Sequence, residues 1–282
     1  MPIQSVVEAP PILDPDDAYA NAAHVAASEA IVARWPSRAA AFRQRLAAEG
    51  RLREGAAYGP GERERLDWFE PERRPRGVAL FVHGGYWMRF SPSDFSHLAA
   101  GAVDRDWLAV MPAYPLCPAA SVGEIVDSLR RAVTAAAELT DGPVRLAGHS
   151  AGGQLVARLL CDDVALPSSL VTRLDRTLAI SGVHDLVPLL ATSMNETLGL
   201  DRRSALAESP ARCLPRPGVR ICAWVGADER PEFLRQNALL DIWRGAGARV
   251  ATHVEPRRHH FDVIEDLARA RSPMLNWWLG ED

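Results

Sequence analysis

The sequence predicts an α/β fold in which a mostly parallel sheet is covered by helices on both faces. From about residue 60 onward, short runs rich in Val and Leu alternate with longer amphipathic stretches, a rhythm typical of strands joined by helices. Several of these runs are apolar at successive positions, as expected for strands buried on both sides. The composition, 48% hydrophobic and 24% charged, is that of an ordinary globular protein, and residues 1–282 are predicted to form one domain.

The predicted elements begin with an N-terminal helical arm, residues 1–60, in which residues 17–53 are helical with a break near Pro36 and residues 55–61 form a turn-rich joint. Strands are predicted over residues 65–69, 78–82, 107–112, 144–147, 177–181, 219–225 and 248–254. Helices are predicted over residues 92–103, 122–139, 151–160, 231–246, 261–271 and 273–279.

One stretch, residues 183–217, breaks the alternation of strands and helices. It contains four prolines: Pro188, Pro210, Pro215 and Pro217. Long irregular excursions between two strands usually cover or shape a functional site. We therefore expect residues 183–217 to form a cap-like insertion.

Charge and composition exclude several classes of function. The chain has 32 basic and 36 acidic residues, and its net charge of −4 offers no basic surface for nucleic acid or an anionic membrane. It contains no lysine, which excludes Schiff-base catalysis, pyridoxal phosphate anchoring and the lysine of a phosphate-binding P-loop. The expected partner is a small-molecule substrate, and a homodimer stays open.

The cysteines and the chain's hydropathy bear on its compartment. The cysteines form no C-x-x-C pair, which disfavours a disulfide scaffold or a thiolate zinc site; they are Cys117, Cys161, Cys213 and Cys222. Buried reduced thiols are the expected state. The chain begins with no signal-peptide pattern, and nowhere do about 18 apolar residues run uninterrupted. These features predict a cytoplasmic protein.

The strongest local motif is Gly148-His-Ser-Ala-Gly152, which fits G-x-S-x-G between an apolar run and a helical stretch. In that setting the serine lies on a sharp strand-to-helix turn, and small residues two positions away on each side let the chains pass closely. The turn exposes the Ser150 hydroxyl at the carboxyl edge of the sheet, where the following helix begins. Ser150 is therefore predicted to be a nucleophile.

A second motif, His83-Gly-Gly-Tyr-Trp87, follows the predicted strand over residues 78–82. Glycines after a strand let backbone N–H groups approach a substrate without a Cβ in the way. We assign an oxyanion hole to the N–H groups of Gly84, Gly85 and Ala151, and expect His83 to hold the loop in shape. A glycine loop upstream of G-x-S-x-G is the order of the α/β-hydrolase fold.

A nucleophilic serine needs a base and a carboxylate that orients it, each placed after a late strand in this fold. Asp228 follows the strand over residues 219–225 and is the predicted acid, with Glu229 as the fallback and Asp185 as a more distant candidate. His259 and His260 both follow the last strand, and we choose His260 as the base. The histidine pair lacks the motif of a metal site, so no metal is predicted.

With these motifs, the sequence resembles the kynurenine formamidases (arylformamidases), a family within the esterase and lipase group of α/β-hydrolases. The matching stretches run in order from about Asp67 to the end, and residues 17–20 also fit: His83-Gly-Gly-Tyr-Trp87, Gly148-His-Ser-Ala-Gly152, Ser181-Gly-Val-His-Asp-Leu-Val-Pro188, Thr192-Ser-Met-Asn-Glu-Thr-Leu-Gly-Leu200, Ser209-Pro210, Gly226-Ala-Asp-Glu-Arg-Pro-Glu-Phe-Leu-Arg-Gln236 and His260-Phe-Asp-Val-Ile264.

The resemblance implies hydrolysis of N-formyl-L-kynurenine to formate and L-kynurenine in tryptophan degradation, without metal or cofactor. It also implies that Ser150, Asp228 and His260 act as nucleophile, acid and base. Since formyl is the smallest acyl group, aromatic lining is expected on the leaving-group side, and the candidates for substrate binding are Tyr86, Trp87, Met194 and Asn195. Two alternatives stay open: a carboxylesterase acting on short-chain acyl esters, and a non-catalytic small-molecule receptor on a hydrolase fold.

Overall fold

A computed structural model describes residues 13–280, and an eight-stranded sheet runs through its centre. The strands are β1 Leu52–Ala57, β2 Arg65–Phe69, β3 Val78–Val82, β4 Leu108–Pro112, β5 Val144–His149, β6 Leu174–Ile180, β7 Arg220–Gly226 and β8 Arg249–Glu255. They lie in the order β1-β2-β4-β3-β5-β6-β7-β8. The pairs β1–β2 and β2–β4 are antiparallel and the others are parallel, so the carboxyl ends of β3 to β8 meet at one edge.

Within the described part of the chain, twelve α-helices surround the sheet: α1 Pro15–Tyr19, α2 Ser28–Val32, α3 Trp35–Ala48, α4 Pro92–Phe95, α5 Ala100–Val103, α6 Val122–Ala137, α7 Ala151–Arg158, α8 Ser168–Val171, α9 Asn195–Leu198, α10 Arg202–Ala207, α11 Pro231–Leu239 and α12 Pro273–Leu279. Short 3-10 helices cover Asn21–His24, Ser96–Ala99, Val187–Ala191, Pro210–Arg212, Leu240–Ala246 and Val263–Ala268. The stretch predicted as one helix over residues 92–103 is thus α4, a 3-10 turn and α5.

The apolar core has two layers, one on each face of the sheet. One layer packs α6, α7 and α11 against the sheet and includes Ile125 and Leu155, and the other packs α3 and α12 and includes Leu46 and Leu275. Every residue of β3 and of β4 is buried, as a strand covered on both sides requires. The α/β class with helices on both faces is therefore confirmed.

Residues 1–12 of the predicted N-terminal arm lie outside the described residues, α3 agrees with the helix expected after Pro36, and the prediction is wrong from residue 52 onward. Residues 17–53 are not one interrupted helix, because β1 begins at Leu52 and runs through part of the predicted turn-rich joint. β1 is a largely exposed edge strand with few apolar residues, so it lacks the apolar run that indicates a buried strand. Its register shifts between Arg53 and Ala56, where Gly55 has a φ of +69°.

The structure describes the state of the four cysteines and the length of the helices. Cys117, Cys161 and Cys222 are buried, Cys213 is half-buried, and all four are free thiols. Within residues 13–280, every helix falls short of the length and apolarity needed to cross a bilayer.

Four buried histidines, His83, His97, His149 and His184, make stability depend on pH. Burial lowers the pKa of His184 to about 3 and those of His83 and His97 to about 4, and it holds the pKa of His149 well below its ordinary value. In the unfolded chain a histidine takes up a proton near pH 6.5. Below that pH the unfolded state therefore binds protons that the folded state excludes.

We expect the free energy of unfolding to fall as the pH drops from about 6.5 toward 4, by on the order of 1 kcal/mol per buried histidine per pH unit. Urea unfolding at a series of pH values measures this slope. The variant His184→Phe removes one such group, whose two ring nitrogens have no hydrogen-bond partner among the described residues. Its slope should be shallower by one histidine's share. An identical slope in wild type and variant would contradict a neutral, buried His184.

Candidate active site

Ser150 lies on a strained turn between β5 and α7, where its backbone has φ 56° and ψ −119°. A Cβ on Gly148 would lie 2.1 Å from the carbonyl oxygen of Gly152, and a Cβ on Gly152 would lie 2.1 Å from that of Val82. Both glycines are therefore required by close backbone packing. The turn places Ser150, only 2% exposed, in the wall of a cavity at the carboxyl edge of the sheet.

His260 lies in the loop after β8, beside the same cavity. Its Nδ1 donates a hydrogen bond of 2.7 Å to Oε2 of Glu229. The other carboxylate oxygen of Glu229 accepts from the Ser181 hydroxyl at 2.5 Å and from the N–H of Gly226 at 2.8 Å. The side chains of His260 and Glu229 are 5% and 0% exposed. Because Nδ1 carries a proton toward the carboxylate, Nε2 of the neutral ring can accept one.

The prediction of Asp228 as the acid is wrong. Asp228 is exposed and its N–H donates to the carbonyl of Arg258 at 2.9 Å, whereas the carboxylate bonded to His260 is that of Glu229. The turn after β7 directs the next residue, Glu229, back into the protein. The more distant candidate Asp185 is paired with Arg212 through two bonds of 2.8 and 2.7 Å. The carboxylate at the base is the fallback, Glu229.

The choice between the two adjacent histidines is decided by their contacts. His259 is half-buried, and its Nδ1 accepts from the N–H of Phe261 at 3.2 Å. The ring of His260 packs between the rings of Phe233 and His149, with centroids 4.7 and 4.6 Å away. Of the two, only His260 combines a buried carboxylate with a place in the cavity wall.

The loop after β3 brings backbone donors to the serine. A Cβ on Gly84 would lie 2.9 Å from Cβ of Ser150 and 2.8 Å from the carbonyl oxygen of His149, so the loop and the serine turn are in direct contact. Gly85 has a φ of +111°, a conformation that favours glycine. Among the described residues, the N–H groups of Gly84, Gly85 and Ala151 have no hydrogen-bond acceptor. Gly84 and Ala151 thus lie at the serine turn and Gly85 lines the same cavity, while the role of these N–H groups as oxyanion donors stays a prediction.

His83 stabilises this loop from below. Its Nδ1 donates to the carbonyl of Gly84 at 2.8 Å, and the Tyr114 hydroxyl donates to the carbonyl of His83 at 2.8 Å. The His83 ring stacks on that of Tyr114 with centroids 4.4 Å apart. Since burial lowers the pKa of His83 to about 4, the ring is neutral. These contacts fit the predicted role of His83 in holding the loop.

The cavity at Ser150 has a volume of about 420 Å³, within the usual range of small-molecule sites (roughly 300–1,000 Å³). Six aromatic side chains from five separate segments line it: Tyr19, Trp35, Tyr86, Phe90, Phe95 and Phe261. A planar aromatic group would find stacking and edge contacts on several sides. The arrangement suits an aryl substrate whose reacting carbonyl meets the serine.

The N-terminal arm closes part of this cavity, which the sequence did not indicate beyond the fit of residues 17–20. The Tyr19 hydroxyl donates to Oε1 of Glu232 at 2.6 Å, and the carboxylate of Asp16 accepts from the N–H of Ser193 at 2.7 Å. Asn21 donates to the Tyr86 hydroxyl at 3.4 Å. These contacts join the arm to α11, to the insertion and to the loop after β3 (residues 83–90), which we call the oxyanion loop.

Of the four predicted substrate-binding residues, two line the cavity and two do not. Tyr86 and Met194 line the cavity. Trp87 is wrong as a lining residue, because it is fully buried in the core and donates to Oε1 of Gln154 at 3.0 Å. Asn195 is also wrong, because its amide bonds the N–H and carbonyl of Leu200 at 2.9 and 3.0 Å and so caps a turn of the insertion.

The strand order, the serine turn and the histidine–carboxylate pair define an α/β hydrolase, and a family model described as the alpha/beta hydrolase fold matches residues 79–212. Kynurenine formamidase from Salmo salar is 30% identical over 223 residues, 74% of this chain and 75% of that protein, and the Danio rerio protein of the same name is 30% identical over 220 residues. The chain belongs to the kynurenine formamidase family.

Solved structures agree on the fold. A protein from Silicibacter sp., named there as a candidate thioesterase, is 44% identical and superposes with a TM-score of 0.88 over 95% of this chain and 99% of that one. Esterase B from Lactobacillus rhamnosis, inhibited by a tributyrin phosphonate, is 15% identical, with a TM-score of 0.65 over 90% of this chain and 93% of that one. The predicted α/β-hydrolase fold is confirmed.

Proposed function

We propose that this protein hydrolyses N-formyl-L-kynurenine to formate and L-kynurenine, with Ser150 as nucleophile, His260 as base and Glu229 as the orienting acid. The observation that carries the proposal is the buried bond between His260 and Glu229 beside a serine held in a strained turn. This arrangement is that of a charge-assisted nucleophile, in which the carboxylate fixes the ring tautomer and stabilises the imidazolium that forms. A receptor has no need for such a base.

In the first half-reaction, the Ser150 oxygen attacks the formyl carbon while Nε2 of His260 takes the hydroxyl proton. The carbonyl oxygen becomes an oxyanion, which the N–H groups of Gly84, Gly85 and Ala151 receive. His260 then returns the proton to the departing arylamine nitrogen. The C–N bond breaks, L-kynurenine leaves, and the formyl group stays on Ser150 as an ester.

In the second half-reaction, water attacks the formyl ester of Ser150 and gives a proton to His260. The same N–H groups hold the second oxyanion, and the Ser150 oxygen leaves and regains its proton from His260. Formate is released, so the cycle consumes one water. The protons balance over the cycle: the original Ser150 proton leaves on the arylamine nitrogen, one proton of the water restores the Ser150 hydroxyl through His260, and the other leaves with the formic acid that ionises to formate.

The substrate assignment rests on two supports. The vertebrate relatives that share three quarters of their length with this chain are kynurenine formamidases. Six aromatic side chains line the cavity, which suits the aryl ketone of the leaving group.

A second candidate is the hydrolysis of a thioester or a short-chain ester. It is favoured by the 44% identity to the Silicibacter sp. protein that is named as a candidate thioesterase. The same serine, histidine and carboxylate can hydrolyse a formamide, a thioester or an ester, so the catalytic residues do not distinguish these substrates. What separates them is the leaving group that the cavity accepts.

The experiment is a comparison of kcat/KM for N-formyl-L-kynurenine, p-nitrophenyl acetate and acetyl-coenzyme A with one enzyme preparation. We expect N-formyl-L-kynurenine to have the highest kcat/KM, and we expect Ser150→Ala to abolish its turnover. Ser169→Ala, at an exposed serine in α8, is the matched control and should retain full activity. Turnover of the ester or thioester without turnover of the formamide would overturn the assignment.

The compartment belongs to the same proposal. We place the enzyme in the cytoplasm, because its four cysteines are free and three of them are buried. Such cysteine usage is typical of proteins in reducing compartments.

A further inference from the structure

The cavity at Ser150 contains two ionisable side chains that the proposed chemistry does not use. Among the described residues that line it, Arg89 is the one arginine and Asp16 the one carboxylate; the rest of the wall is apolar, aromatic or histidine, with a few small polar groups. The proposed chemistry on a formamide or an acetyl ester uses Ser150, His260, Glu229 and backbone N–H groups, and neither Arg89 nor Asp16 has a part in it. We therefore expect these two charged side chains to bind the part of the substrate that does not react.

Arg89 lies on the oxyanion loop, and its backbone N–H donates to the carbonyl of Gly85 at 3.1 Å. Its guanidinium carbon is 5.6 Å from the centre of the Phe90 ring, and the side chain is largely exposed at the cavity. None of the described residues forms an ion pair with Arg89, although most other arginines in the chain have an acidic partner or a carbonyl acceptor. A guanidinium in this state can bind a carboxylate through two parallel bonds.

Asp16 lies on α1 of the N-terminal arm. Its Oδ1 accepts from both the N–H and the hydroxyl of Ser193, at 2.7 and 2.9 Å, which fixes the position of the carboxylate. Its Oδ2 has no partner among residues 13–280, and no described cation pairs with Asp16. A carboxylate can accept about four hydrogen bonds, so an ammonium group can still bind to it.

We propose that Arg89 and Asp16 are specificity determinants that bind the carboxylate and the ammonium of an amino-acid group on the substrate's leaving group. The inference rests on the proposed function and deepens it. The leaving group, L-kynurenine, is an arylamine whose side chain ends in an ammonium and a carboxylate on one carbon. The aromatic wall takes its ring, the serine takes its formyl group, and the two charges take its far end.

The proposal gives the arm a function. Tyr19 ties α1 to the buried carboxylate of Glu232, and the Tyr86 hydroxyl donates to the carbonyl of Tyr19 at 2.5 Å. The arm is thereby fixed against the loop that carries Arg89. A simple ester or a neutral formanilide makes no use of either charge, so the pair selects substrates by charge and not by the scissile bond.

The test compares two substrates with the same scissile bond: N-formyl-L-kynurenine, and formanilide, which lacks the amino-acid group. In Arg89→Gln, the ratio of kcat/KM for N-formyl-L-kynurenine to that for formanilide should fall at least about tenfold, mainly through a higher KM. Asp16→Asn, which keeps the acceptor for Ser193, should lower the same ratio severalfold. Added salt should raise KM for N-formyl-L-kynurenine in the wild type and less so in Arg89→Gln.

The matched control is Arg249→Gln, an exposed arginine at the start of β8, remote from the serine; it should leave the ratio unchanged. If Arg89→Gln lowers kcat/KM for both substrates equally, or for neither, the inference is overturned while the proposed function stands. If the wild type hydrolyses neither formamide, the proposed function itself fails. The two failures are thus distinct.

Discussion

Glu229→Gln should lower kcat for N-formyl-L-kynurenine by about 10³–10⁴-fold, the size seen when the acid of a serine triad becomes an amide. Three donors face the Glu229 carboxylate: the Ser181 hydroxyl, the Gly226 N–H and Nδ1 of His260. A glutamine has one oxygen for these three donors. If that oxygen keeps the bonds to Ser181 and Gly226, the amide NH₂ points at Nδ1 and forces the proton of His260 onto Nε2. The base then has no lone pair for Ser150.

Asp228→Asn is the matched control, because Asp228 is the adjacent carboxylate and lies exposed on the same turn. Its kcat and KM should stay within about twofold of the wild type, as expected for a surface substitution. Steady-state kinetics of the two variants, with circular dichroism to verify folding, distinguishes the two carboxylates. A large loss of kcat in Asp228→Asn with a small loss in Glu229→Gln would show that Asp228 is the acid.

Gly84→Ala should lower kcat by about 10²–10³-fold, the loss typical of one missing oxyanion donor. The added Cβ would lie 2.8 Å from the carbonyl oxygen of His149 and 2.9 Å from Cβ of Ser150, closer than real Cβ contacts. The backbone must move to relieve these contacts, and the N–H of Gly84 moves with it. The expected signature is a lower kcat with a nearly unchanged KM, because the lost interaction is made chiefly in the transition state.

Gly245→Ala is the control for glycine substitution as such. A Cβ there would meet nothing within 4 Å, and Gly245 lies in the 3-10 helix Leu240–Ala246, away from the serine. Its kinetics should match those of the wild type. Full activity in Gly84→Ala, with thermal unfolding showing a folded protein, would exclude the N–H of Gly84 from the oxyanion hole.

The strands and the serine could be predicted because their signals are local. A strand buried on both faces, such as β3, is a continuous apolar run, and Ser150 lies between such a run and a helix. β1 was missed because an exposed edge strand carries few apolar residues. The base could be narrowed to two histidines, and the choice of His260 agrees with its contact to a buried carboxylate.

The acid and the arm could not be predicted because both depend on contacts between distant segments. Asp228 and Glu229 are neighbours in sequence. They differ in their contacts, because the Glu229 carboxylate accepts from the Ser181 hydroxyl, which follows the adjacent strand β6, and is buried there. Tyr19 bonds Glu232 across 213 residues of chain, and no periodicity of either segment indicates this pair. Trp87 and Asn195 were assigned from their neighbourhood to motifs, although one packs in the core and the other caps a turn.

The role of Ser150 as an activated nucleophile is tested most directly by reaction of the protein with a fluorophosphonate, followed by peptide mapping in a mass spectrometer. An activated serine attacks the phosphorus and keeps a covalent adduct, whereas an ordinary hydroxyl does not react. We expect one adduct, on Ser150, which forms far more slowly in His260→Ala. A protein that hydrolyses N-formyl-L-kynurenine but stays unlabelled at Ser150 would contradict this role.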